Sequence, residues 1–127
     1  MFFKATLPGS VLLSVLSAAT LVSGCSGAKG NAAHGKELYV QCQTCHKPAE
    51  NYVGPKHCGV IGRPAASVPG FDYSEGMRAS GITWDETTLD QFLTSPVAFV
   101  NGTKMGFAGF DNPSDRADVI AYLQTLK

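Results

Sequence analysis

Apolar residues recur at helical spacings in several parts of the chain, separated by stretches in which glycine and proline break every period. Over residues 32–41, Gly35, Leu38 and Tyr39 share one helical face, which predicts a first helix. Over residues 47–74 the run is cut by Gly54-Pro55, Gly59, Gly62, Pro64 and Pro69-Gly70, so one long loop is expected. A short helix is predicted over residues 74–79. Thr83, with Glu86 three residues later, resembles a capping box, and the helix it opens carries Leu89, Phe92 and Leu93 on one face. Pro96 interrupts that helix. Asn112 as N-cap and Pro113 in the first turn open the last helix, whose apolar stripe is Val119, Ile120, Leu123 and Leu126. Strand-like alternation is almost absent, and no internal repeat is visible. The fold class expected is all-α, with helices joined by long loops.

The N-terminal pattern is of another kind. After the weakly basic start at Lys4, residues 7–22 are apolar apart from Pro8, Gly9 and scattered Ser and Thr. That length suits the core of a secretory signal and is short for a membrane-spanning helix. Leu21-Val22-Ser23-Gly24-Cys25 looks like a bacterial lipobox. The expected organisation is a lipoprotein-type signal peptide over 1–24, a lipid-attached flexible tether over 25–31 with the lipid on Cys25, and one domain over 32–127. An uncleaved membrane anchor, or ordinary cleavage near Ser17-Ala18-Ala19, are the alternatives. All three export the protein.

The 127 residues fit one domain. Ten Lys+Arg balance ten Asp+Glu, so there is no basic footprint for nucleic acid, and loss of the leader with Lys4 leaves one excess negative charge. The four cysteines change the picture, because two of them stand in Cys42-Gln43-Thr44-Cys45-His46. C-x-x-C-H is the pattern for covalent attachment of c-type haem. Thiols at i and i+3 of a helical turn share a face and can reach both vinyl groups of one haem, and the next residue offers an imidazole to the iron. A thioredoxin-like dithiol is disfavoured because no βαβ pattern accompanies the motif. A zinc site of Cys42, Cys45, His57 and Cys58 is disfavoured because adjacent His57 and Cys58 would need a contorted backbone.

A second axial ligand is then required of the two methionines that follow the leader, Met77 and Met105. Met105 lies in a loop between two helices, far from the apolar stripes, and is the expected ligand. Met77 is expected to fill core. The sequence resembles the class I, mitochondrial-type cytochromes c from about His34 to the C-terminus. Gly35 with Tyr39, Gly54-Pro55, Gly59-Val60-Ile61-Gly62-Arg63, Pro69-Gly70-Phe71-Asp72-Tyr73, Gly81-Ile82-Thr83-Trp84 and Gly102-Thr103-Lys104-Met105 carry the likeness, in that order. A last segment runs from Arg116 to Leu123.

The resemblance implies a cytochrome c fold with crossing N- and C-terminal helices and one haem c enclosed by loops. It implies that the Pro55 carbonyl accepts from His46, that Tyr73 and Trp84 bind haem propionates, and that Arg63 compensates their charge. Thr103 and Met105 are also expected to contact the haem, with His46 and Met105 as iron ligands. Gly35 and Tyr39 would pack on Tyr122.

The chain departs from the pattern in four places. Phe92 stands where a Tyr commonly donates toward the Met sulfur, and Met77 where an Asn is usual. Cys58 replaces a common His, and its thiol is expected to be buried. The lysine ring of relatives is thin here, with Lys104 kept but Val97 and Ala98 at two often basic positions. The function expected is a one-electron carrier, not an enzyme. It would be a monomer on the periplasmic side of a bacterial membrane, serving partners such as a quinol–cytochrome c reductase and a terminal oxidase. The alternatives are a catalytic or sensory cytochrome with a labile Met105, or a haem-carrying subunit of a larger oxidoreductase.

Overall fold

The computed structural model describes residues 30–127; the signal peptide, Cys25 and most of the tether expected from the sequence lie outside the described residues. Among the described residues six short helices follow one another: α1 (Ala32–Leu38), α2 (Val40–Gln43), α3 (Glu75–Ala79), α4 (Glu86–Thr94), α5 (Pro96–Phe99) and α6 (Pro113–Leu123). Among the described residues the only β pairing is an isolated bridge between Pro64 and Thr83. None of these helices is long and apolar enough to cross a membrane.

The frame is the crossing of α1 and α6. Gly35 sits so close to the Asp118 carbonyl that any side chain there would collide with it. That close approach drives Tyr39 into full burial, where its ring meets Tyr122 edge-on at 5.0 Å. Val119, Ile120 and Leu123 of α6 are buried along with Leu89, Phe92 and Leu93 of α4. Each such aliphatic side chain, fully buried, contributes about 1.5–3 kcal/mol. Arg116 Nε donates to Asp90 Oδ1 at 2.7 Å and ties α6 to α4 at the edge of this core.

Three local readings need correction. The first helix does not run unbroken over 32–41. It turns at Tyr39, and α2 continues it to Gln43, so the cysteine motif begins inside a helix. Gly30 and Asn31, assigned to a flexible tether, belong to the packed domain. Gly30 lies against the Ala117 carbonyl, and Asn31 caps α1 while its own N–H donates to Asp118 Oδ1 at 2.6 Å. Finally, α4 is capped by Asp85 and not by Thr83. Asp85 accepts from the Thr88 N–H at 2.8 Å, and Thr88 Oγ1 accepts from the Asp85 N–H at 2.9 Å, which completes a capping box. Thr83 is already held in the bridge to Pro64.

The remaining helix ends follow the sequence. Ser74 accepts from the Met77 N–H to start α3, Ser95 is extended and ends α4 before Pro96 opens α5, and Asn112 with Pro113 starts α6.

Candidate functional site

A cavity of about 500 Å³ lies between the helical frame and two loop walls. The α2 helix carries Cys42 to its edge, and the turn continues, with the Cys45 and His46 N–H groups both donating to the Cys42 carbonyl at 3.1 and 2.8 Å. The two cysteines and His46 therefore share one helical turn, as the spacing requires. Cys42 is half-buried, and burial pushes its thiol up to about 11; Cys45 is exposed at the rim.

His46 is buried and its Nδ1 lies 2.8 Å from the Pro55 carbonyl oxygen, to which it donates. With that proton on Nδ1, the Nε2 lone pair is free to bind a metal. Burial lowers the pKa of His46, against the raising effect of the Pro55 bond, and so favours the neutral ring. Gly54 makes this possible. A Cβ there would overlap the imidazole, and the Gly54 N–H donates to the Cys45 carbonyl at 2.7 Å, which clips the loop onto the motif.

Behind His46 lies His57, which the sequence offers only as a member of the disfavoured zinc set. The His57 ring stacks on that of His46 with centroids 4.0 Å apart, and its Nδ1 shares a 2.9 Å hydrogen bond with Tyr39 Oη. Burial first, then the charges of His46 and Arg63, push His57 down to about 3, so it is a neutral packing partner. Tyr39 is held as a phenol, its pKa raised chiefly by burial. The signal available in the sequence was a lone histidine two residues beyond Gly54-Pro55.

The other expected residues all reach the same cavity: Pro55, Arg63, Tyr73, Trp84, Thr103 and Met105 line it. Arg63 is fixed by two carbonyls, with Nη1 donating to Cys58 O at 3.0 Å and Nη2 to Lys56 O at 2.8 Å. None of the ion pairs among the described residues includes it. A partly buried guanidinium without a protein carboxylate suits an anionic group brought in by a ligand. Tyr73 Oη accepts from the Val68 N–H at 3.3 Å, and Trp84 is buried against Phe92 at 4.9 Å. Met105 N–H donates to Thr103 Oγ1 at 3.2 Å, which shapes the loop at the methionine. Leu89, Leu93, Val119 and Leu123 complete an apolar floor. Apolar walls, two thiols at the rim, an imidazole with a free nitrogen and an unpaired guanidinium fit a large, flat, anionic, iron-bearing ring.

Two expectations change here. Met77, expected to be core filler, packs partly buried against the core but also lines the cavity. Cys58, expected to be buried, is only partly buried, in the turn it forms with Gly59. The four residues of the zinc alternative do not gather into a ligand group among the described residues.

Comparison with known proteins places this geometry. The family model described as Cytochrome c matches residues 32–127. The chain is 45% identical over 119 residues to cytochrome c2 of Rhodomicrobium vannielii, covering 91% of this chain and 95% of that protein. It is 40% identical over 121 residues to cytochrome c-554 of Methylosinus trichosporium, covering 93% and 87%. The solved structure of cytochrome cH from Methylobacterium extorquens matches with a TM-score of 0.74 and 41% identity, over 76% of this chain and 99% of that one. The chain belongs to the cytochrome c family. It carries one c-type haem, attached through Cys42 and Cys45, and it is an electron-transfer protein and not an enzyme.

Proposed function

We propose that this protein shuttles single electrons between membrane redox complexes, with His46 and Met105 as the two axial ligands of its haem iron. The observation that carries this reading is the single cavity that has the locked imidazole of His46 and the loop of Met105 on its lining. The haem supplies a reversible one-electron iron couple. The chain supplies the rest: Pro55 fixes the imidazole tautomer, Arg63 balances negative charge, and the apolar floor excludes water. Thioether sulfur from methionine favours the reduced iron relative to a second imidazole, which raises the potential. With His46 and Met105 both holding the iron, the chain would leave a substrate no ligand position to occupy.

The reading extends to a protein exported to the periplasmic side of a bacterial membrane, cleaved before Cys25 and lipidated there. It meets partners such as a quinol–cytochrome c reductase and a terminal oxidase. The surface supports docking that relies little on charge. Val97 is 58% exposed, Ala98 and Ala108 are exposed, and Phe107 is partly buried. Lys104, the cation kept near the cavity, is paired with Asp72 at 3.1 Å. A tether raises local concentration at the membrane without any charge.

The test is turnover with the native oxidase in membranes as ionic strength rises, for lipidated protein and for a form lacking Cys25. Turnover nearly independent of salt but lowered by loss of Cys25 is expected. A steep fall with salt in both forms, with no benefit from the lipid, would mean that charge does the docking.

A further inference from the structure

Away from the cavity, three side chains able to bind a metal converge where α1 meets the start of α6. His34 Nδ1 lies 2.7 Å from Asp118 Oδ2. His34, Asp115 and Asp118 each offer a ligand atom, and these atoms lie within 4.8 Å of one another. No other trio of His, Cys, Asp or Glu among the described residues meets that condition. The chain has three histidines. His46 faces the cavity and His57 is stacked behind it, so His34 is the one exposed imidazole.

The surroundings are those of a held group of donors. Asp115 and Asp118 are one helical turn apart on α6 and share a face. The Asn31 N–H fixes Asp118 through Oδ1, and Asn112 Nδ2 reaches Asp115 Oδ1 at 3.4 Å, which leaves a second oxygen of each carboxylate for other partners. The helices that carry the donors cannot slide, because Gly30 and Gly35 already touch the α6 backbone. The hydrogen bond to Asp118 is the main cause that raises the His34 pKa, and the negative charges of Asp118, Asp115 and Glu37 act in the same direction.

We propose that His34, Asp115 and Asp118 form a surface site for a divalent cation of the zinc type, with water completing the coordination. One imidazole nitrogen and two carboxylates suit a borderline cation, whereas calcium and magnesium favour oxygen donors alone. A tetrahedron with bonds of about 2.0 Å sets its donors about 3.3 Å apart, so His34 and Asp118 part slightly and Asp115 closes in. The metal takes the neutral ring with its proton on Nε2: from the imidazolium the Nδ1 proton passes to solvent, and from the Nδ1–H tautomer solvent carries it to Nε2, so that the Nδ1 lone pair binds the metal. Because the ligands come from both helices, the bound cation clamps α1 to α6 and stabilises the folded state by mass action.

The experiment is a calorimetric titration of the haem-loaded protein with zinc chloride alone, in the Cys58→Ser form so that the partly buried thiol does not compete. One equivalent should bind, and the thermal unfolding midpoint should rise with zinc. His34→Gln removes the imidazole, while Asp115→Asn leaves the His34–Asp118 bond in place; the haem absorption spectrum reports that each variant keeps its fold. An affinity at least tenfold weaker in both variants supports the site. Full affinity in Asp115→Asn, or an unfolding midpoint indifferent to zinc in the parent protein, overturns it.

Discussion

Where α1 crosses α6, each large side chain already has a protein neighbour: Tyr39, Val119 and Ile120 are at most 2% exposed. Along the cavity the walls are different. Tyr73, Met77, Met105 and Phe107 are only partly buried, and few hydrogen bonds join the 47–74 wall to the 100–110 wall. One such link is the ion pair of Asp72 with Lys104, both largely exposed, and exposed pairs contribute little. The crossing is stable through its own packing, whereas the loops are built around a guest. The domain is small enough for that guest to matter to the whole fold.

The largest test of this contrast removes the guest. A Cys42→Ala, Cys45→Ala chain without haem should lose protection from hydrogen exchange across both loop walls, while amides of α1 and α6 keep the most. Uniform loss, or loops as protected as in the haem protein, would erase the distinction. The second test attacks the crossing. Gly35→Val drives a side chain into the Asp118 carbonyl and should cost about 3 kcal/mol in denaturant unfolding. Gly59→Ala should cost less, because a Cβ there meets nothing and only the positive φ of 69° is strained.

A third, smaller effect lies at the joint between the two regions. Tyr39→Phe keeps the packed ring but removes the hydrogen bond to His57, which backs the His46 ring. A loss of about 1 kcal/mol is expected from unfolding curves. The loss should be greater with haem bound than without it, since only then does the bond support a ligated imidazole.

The same contrast governs what could be read from the sequence. The crossing was legible because it rests on periodicity: Gly35 and Tyr39 on one face, and Val119, Ile120 and Leu123 on the other helix. The cavity was legible where short motifs carry chemistry, and all nine residues expected to contact the cofactor line it. What was missed depends on geometry that no spacing encodes. The stacking of His57 on His46 arises only once the 47–58 loop has folded back through the Gly54 and Pro55 contacts.

The cap of α4 was misread for a similar reason. Thr83 and Asp85 both stand three residues before a polar partner, and the bridge of Thr83 to Pro64 decides between them. Asp85→Ala should therefore lower stability modestly, and Thr83→Ala less. The Asp85 carboxylate is held below its usual pKa first by the Thr88 N–H. Its contribution is present above about pH 4 and fades as pH falls through that lowered value.

Met77 and Met105 both line the cavity, so either sulfur is within reach of completing the iron's coordination. The direct measurement is the near-infrared absorption of the oxidised haem protein, where methionine bound to ferric iron gives a weak band, in Met105→Ala and Met77→Ala variants. Loss of the band and of the low-spin spectrum in Met105→Ala, with both kept in Met77→Ala, is the result predicted. A band that survives in Met105→Ala and vanishes in Met77→Ala would contradict the assignment.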